Sequence, residues 1–155
     1  MNATLVLDSA SPDDTRAIGE RLGRALRAGD VLLLSGELGA GKTLFVQGLA
    51  RGLGFDGPVS SKSFVIMGEY AGREKLYHAD LYRLDEPEQV QDLALDEMTS
   101  DGVLAVEWPE RAGDVLPEEH LHLRFEVTGD ETRRLHVEPR GERARTLAAA
   151  LRDCA

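Results

Sequence analysis

Eight consecutive residues, Gly36-Glu37-Leu38-Gly39-Ala40-Gly41-Lys42-Thr43, follow the spacing G-x-x-x-x-G-K-[ST]. Glycines there let the backbone curl so that successive N–H groups face a phosphate. A lysine supplies a mobile cation, and the hydroxyl that follows it suits Mg²⁺. The octapeptide therefore points to the gripping of nucleotide phosphates, with Glu37, Leu38, Gly39, Ala40, Gly41, Lys42 and Thr43 as the binding residues. With 16 glycines and three lysines in 155 residues, chance would supply the pattern roughly 0.003 times, so it stands as a signal.

Binding is not turnover. Hydrolysis or transfer also needs an acid to organise Mg²⁺ and a group to position the attacking nucleophile. Glu107 is the best acid, because it ends the apolar run Val103-Leu104-Ala105-Val106. Ligands of open α/β sheets sit at the carboxyl ends of such strands. Asp80 lies in the strand-like stretch Leu76 to Arg83, where a carboxylate is unfavourable unless paired or useful. An ion pair with Arg83, a strand-end cap, and orientation of water or metal near the γ-phosphate all fit it. Ser60-Ser61-Lys62-Ser63 is a hydroxyl cluster suited to a γ-phosphate-sensing switch or to a plain turn. Trp108 stacks near the nucleotide or simply packs. His78, His120, His122 and His136 have no zinc spacing.

The elements that must position these groups are readable from pattern. Val31-Leu32-Leu33-Leu34 is a short apolar run suited to a strand buried on both faces. The stretch Thr43 to Leu53 has helical spacing, so the loop opens a helix N-terminus, where the dipole favours anions. Thr4 to Leu7 reads as a strand. Ser11-Pro12-Asp13-Asp14 caps a helix whose apolar positions are Ala17, Ile18, Leu22, Ala25 and Leu26. Ser63 to Tyr70 and Lys75 to Tyr82 flank Ala71-Gly72-Arg73-Glu74 as a hairpin. A helix is expected after Asp85, with Val90, Leu93, Ala94, Leu95 and Met98 as its apolar face. Late strands follow over Leu121 to Val127 and Arg134 to Val137, then a final helix over Glu142 to Leu151. The sum is one α/β domain over residues 1–155, a three-layer P-loop NTPase fold with a mixed, mainly parallel-core sheet and antiparallel additions.

Composition narrows the partners. A net charge of −10 opposes autonomous binding to a phosphate backbone, so RNA would be held by another protein. Acid concentrates from Asp80 to Glu119, where Arg83 and Arg111 are the only basic residues; the face solubilises or docks a basic partner. Fifteen arginines stand against three lysines, a drift that leaves Lys62 and Lys75 as surface residues. Cys154 is the single cysteine, so no intrachain disulfide is expected. No apolar stretch reaches membrane-span length, and the N-terminus lacks a basic leader region, which predicts a cytoplasmic protein.

Four blocks together carry a family resemblance: the phosphate loop, Ser61-x-Ser63-Phe64, Tyr77-His78-Ala79-Asp80-Leu81-Tyr82-Arg83-Leu84, and Val106-Glu107-Trp108-Pro109-Glu110. Their order and spacing resemble TsaE (YjeE), the bacterial ATPase family of tRNA threonylcarbamoyladenosine synthesis. The resemblance implies ATP and Mg²⁺ as cofactors and TsaB and TsaD as partners, with tRNA reached through that complex. It implies Lys42 as the phosphate lysine, Thr43 and Glu107 as Mg²⁺ ligands, Asp80 as a catalytic acid and Ser63 as the switch hydroxyl. It does not imply that the chain performs the carbamoyl transfer. Two departures stand out. Lys62 and Ser63 replace the family's usual Pro and Thr, and Leu44 replaces a frequent second Thr, leaving only its backbone amide for the nucleotide. A GTPase switch is disfavoured, since no D-x-x-G occurs and Asn2 is the only asparagine; a small-molecule P-loop kinase is the alternative.

Overall fold

The computed structural model describes residues 5–37, 39–55, 57, 67–81, 99–112 and 116–153. In chain order the elements are β1 (Leu5–Ser9), α1 (Pro12–Ala25), β2 (Val31–Ser35), α2 (Lys42–Gly52), β3 (Met67–Ala71), β4 (Lys75–Asp80), β5 (Gly102–Glu107), a 3₁₀ turn (Pro109–Ala112), β6 (His120–Val127), β7 (Arg133–Arg140) and α3 (Glu142–Asp153). The strands form one seven-stranded sheet in the order β1-β7-β6-β2-β5-β4-β3. Strands β4, β5, β2 and β6 run parallel, while β3 and β7 pair antiparallel at the flanks and β1 pairs antiparallel with β7. This is the expected α/β class with a parallel core and antiparallel additions.

The strand sequences explain their places. Every residue of β5 is buried, as are Val31 to Leu34 of β2, because a parallel core strand is covered on both faces and reads as a continuous apolar run. In β6 and β7 burial alternates, as it does for strands with one wetted face. The apolar residues form two clusters. Leu32, Leu34, Val103, Ala105, Leu121 and Leu123 face the three helices; Val31, Leu33, Leu104 and Val106 face the other way with Ala79 and Leu81, flanked by Trp108 and Leu116. The helix expected from Asp85 to Met98 and the switch segment at Ser60 to Ser63 lie outside the described residues.

Helix α1 starts as its sequence requires. Ser11 Oγ accepts from Asp14 N at 3.1 Å, and Asp14 Oδ2 accepts from Ala10 N at 3.0 Å, a reciprocal cap. Its inner face departs from the expected stripe. Ile18, Leu22 and Leu26 are buried, but Ala17 is exposed, and the deepest contact is made by Gly19 and Gly23. These face Gly48 and Gly52 of α2. A Cβ at any of the four would lie inside 3.0 Å of a backbone carbonyl of the opposite helix: Phe45 for Gly19, Leu49 for Gly23, Arg16 for Gly48 and Glu20 for Gly52. Residues four apart share a helix face, so two G-x-x-x-G pairs press backbone on backbone.

Two arginines fasten loops around this helix pair. Arg73, in the β3–β4 turn, donates to the carbonyls of Leu26 and Gly23 at the end of α1, each at 3.1 Å. Arg143 of α3 forks onto buried Asp30 at 2.8 and 2.9 Å and also reaches Ala25 O at 2.7 Å. That fork keeps the guanidinium charged beyond its ordinary range and ties α3 to the turn entering β2. The other elements match expectation apart from their ends. Strand β4 stops at Asp80 rather than Tyr82, β6 begins at His120, β7 spans Arg133 to Arg140, and α3 continues to Asp153.

Candidate functional site

The phosphate loop leaves the carboxyl end of β2 and enters α2 at Gly41, the N-cap, with φ +102. Gly36 has φ +141, and a Cβ there would stand 2.7 Å from Phe125 O of β6. Both conformation and space therefore require glycine at the loop's root. Ala40 N bonds Glu37 O at 3.1 Å, closing the turn, and the first intrahelical bond is Phe45 N to Gly41 O at 3.0 Å. The amides of Lys42, Thr43 and Leu44 thus have no partner within the helix, an arrangement that suits an anion. Phe45 then pins this first turn to β6 through an edge-to-face contact with Phe125, 5.5 Å between centroids at 79°.

Lys42 is 4% exposed. Its Nζ donates to Gly36 O at 2.7 Å and sits 3.8 Å from the Trp108 ring centroid. Burial pushes the ammonium's pKa below the ordinary lysine value, opposed by the charges of Glu107, Glu110 and Asp80. A buried cation whose partners among the described residues are one carbonyl and a ring face retains capacity for an anion, since an ammonium has three donors. Trp108 reaches it by adopting φ +60, the only positive φ on a non-glycine among the described residues. That conformation costs about 1–2 kcal/mol for a residue with a Cβ. Its amide is held by Leu34 O at 3.2 Å. Trp108 thus both packs against the second apolar cluster and underlies Lys42.

The acids converge as the topology requires. In the sheet register Glu107 lies between Leu34 of β2 and Asp80 of β4, so both carboxylates end parallel strands beside the loop's root, in the expected crevice. Glu107 is 3% exposed and its Oε2 is 2.5 Å from His78 Nε2. His78 is itself 4% exposed, so one carboxylate oxygen is fixed from behind along the strand. Asp80 acts electrostatically on Lys42. Sequence pattern left its partner open, and Arg83 lies outside the described residues, as do Leu38 and Ser63.

His78 and Glu110 are the members that pattern reading missed. A histidine two residues before Asp80 in a buried strand was the available signal for His78; Glu110 had none beyond its place after Trp108. On the opposite sheet face, Ser35 Oγ lies 2.7 Å from His122 Nε2, and His122 Nδ1 is 3.7 Å from Glu138, so His120 and His122 do share a strand face. No group of three or more metal-ligating side chains occurs among the described residues, and no described helix is long and apolar enough to cross a membrane.

Comparison with known proteins identifies relatives of this chain. Residues 9–135 match the family described as "Threonylcarbamoyl adenosine biosynthesis protein TsaE". The tRNA threonylcarbamoyladenosine biosynthesis protein TsaE of Streptomyces coelicolor is 44% identical over 136 residues, covering 83% of this chain and 92% of the relative. Its Bacillus subtilis namesake is 39% identical over 145 residues, 92% and 90% of the two chains. Among solved structures, Bacillus subtilis YdiB superposes with a TM-score of 0.83 at 35% identity, covering 99% of this chain and 97% of its own.

Proposed function

This chain belongs to the TsaE family of threonylcarbamoyl adenosine biosynthesis proteins, and from that premise we propose that it binds and hydrolyses Mg–ATP in support of N6-threonylcarbamoyladenosine formation at position 37 of tRNA. In this reading it works in the cytoplasm with the TsaB and TsaD proteins and does not itself transfer the threonylcarbamoyl group. The observation that carries the nucleotide assignment is Lys42. A lysine buried to 4% with a depressed pKa, at the root of a glycine loop and a helix N-terminus, is costly unless an anion completes its environment.

The donor set fits the cofactor. Loop amides and Lys42 would hold the β- and γ-phosphates, Thr43 Oγ1 and Glu107 would hold Mg²⁺, and Asp80 would orient the attacking water. Hard oxygen donors of this kind suit Mg²⁺. When bound, the ion neutralises charge that develops on the phosphoryl oxygens. His78 keeps Glu107 aimed, Trp108 holds Lys42 and walls the site, and Ser63 would close over the γ-phosphate. The net charge of −10 supports partners, rather than this chain, holding the tRNA.

The test is ATP hydrolysis by the chain alone and with purified TsaB, TsaD and tRNA. Turnover that depends on Mg²⁺ and rises with the full mixture is expected. Absence of hydrolysis in every mixture would sink the proposal, and phosphate passing to a small metabolite instead of water would favour a kinase.

A further inference from the structure

We propose that Arg133 is a positioning residue for the phosphate loop: from the start of β7 it hangs the loop's carbonyls on the β6–β7 turn and so aims the loop's amides inward. The inference rests on the reading that residues 36–43 grip phosphate, and it adds a residue that belongs to no motif. Arg133 Nε donates to Ala40 O at 3.2 Å and Nη2 to Gly39 O at 3.3 Å, across 93 and 94 residues of sequence. The other arm is anchored locally, with Nη1 donating to Gly129 O at 2.9 Å and Thr132 O at 2.7 Å.

The consequence follows from peptide geometry. In a planar trans peptide the N–H points opposite to the preceding C=O. Fixing Ala40 O toward Arg133 therefore sends the Gly41 N–H to the far side, into the loop. Fixing Gly39 O does the same for the Ala40 N–H, which closes the turn onto Glu37 O at 3.1 Å. Ala40 is buried in the core, but packing does not hold the peptide before it. Gly39 is exposed, has φ +82, and no atom lies within 4 Å of where its Cβ would be. A planar fork fixes the direction of two successive carbonyls, whereas the rotatable donors of an ammonium on a flexible stem do not. Behind the loop, the guanidinium also adds positive potential toward a bound anion without touching it.

The anchoring turn has its own closure. Thr128 N donates to Thr132 O at 3.2 Å and Thr128 Oγ1 to Thr132 Oγ1 at 2.9 Å. The loop's conformation is thereby tied to an exposed hairpin tip far away in sequence.

The experiment compares wild type, Arg133→Gln and Arg133→Lys in the full chain. Backbone hydrogen exchange over Gly39 to Lys42 is measured in the nucleotide-free protein, alongside equilibrium binding of ADP and ATP. Both variants should exchange about 10-fold faster in the loop, with unchanged exchange in α1, and bind both nucleotides about 10-fold more weakly, as expected for lost charge-assisted hydrogen bonds. Loop exchange equal to wild type, full recovery by Arg133→Lys, or a uniform rise that includes α1 would each overturn the proposal. Failure of the wild type to bind any adenine nucleotide would instead remove the nucleotide reading, while the exchange comparison still judged Arg133.

Discussion

The two ends of α2 are held by different physics. Its C-terminal half, from Gly48 to Gly52, is fixed by shape, glycine against the α1 backbone with no space for a Cβ. Its N-terminal end, besides the packing of Phe45 on β6, is fixed by charge, through Lys42 on a carbonyl and an indole face, with acids ranged around it. Shape contacts have no alternative partner and make a rigid seat. Charge contacts can be exchanged for those of a ligand, which is what a phosphate site needs. Damage at one end should therefore cost folding, and damage at the other should cost binding.

The largest effect is expected from Gly48→Ala. The new methyl collides with Arg16 O and has no flexible side chain to displace, so the helices must separate along their length. A loss of more than about 3 kcal/mol is expected, a large share of a domain's usual ~5–15 kcal/mol, read as a lower urea midpoint at unchanged slope. Gly39→Ala is the matched control at the other end. It meets open space and bears only the left-handed φ, so about 1–2 kcal/mol is expected. Equal losses in the two variants would break the comparison.

Lys42→Met reverses the pattern. Removing a cation that burial already disfavours should leave stability within about 1 kcal/mol of wild type, or raise it, while nucleotide affinity falls about 100-fold or more. Denaturation and nucleotide titration on the same preparation check it; a variant that unfolds would place Lys42 among the structural contacts. His78→Leu is a smaller probe, leaving Glu107 buried without its partner. Apparent Mg²⁺ affinity in nucleotide binding should weaken about 10–100-fold, Mg²⁺-free binding should not change, and His78→Gln, which retains a donor, should recover part of the loss.

The charge-held end was the more legible in sequence. The loop needs glycine, lysine and hydroxyl at fixed offsets, and Glu107 follows a continuous apolar run, so local pattern located both. The mixed sheet with its parallel core followed from strand–helix alternation early in the chain and hairpins later. The shape-held end was opaque, because an apolar stripe is scored by side chains that are present, and Gly19, Gly23, Gly48 and Gly52 act by absence. Ala17 was consequently placed on the wrong face. His78 could be placed in a strand, but its diagonal neighbour Glu107 follows only once β4 and β5 are paired in register. The arginine excess showed as a composition drift. Its use as forks at Arg73 and Arg143 appears only when remote carbonyls and carboxylates come together.

The weakest prediction extends the comparison to pH. Ser35, the residue before the loop, bonds His122 Nε2 at 2.7 Å, so the charge-held end has a histidine as neighbour. Burial lowers the His122 pKa from its ordinary 6.5, partly offset by Glu138 and Glu110 and reinforced by His120 and Arg124. Between that lowered value and 6.5 the unfolded chain binds more protons than the folded one, so stability rises with pH through this window and levels off above it. Neutral His122 can donate to Ser35 or accept from it, whereas the imidazolium can only donate, which removes one arrangement as the pH falls. The effect should be below the ~1 kcal/mol of an ordinary side-chain hydrogen bond. Urea midpoints measured from about pH 5 to about pH 8 should fall on the acid side in wild type and fall less in His122→Gln. Parallel profiles would show that the Ser35–His122 contact carries no proton linkage, leaving Lys42 and its acids to account for the charge-held end alone.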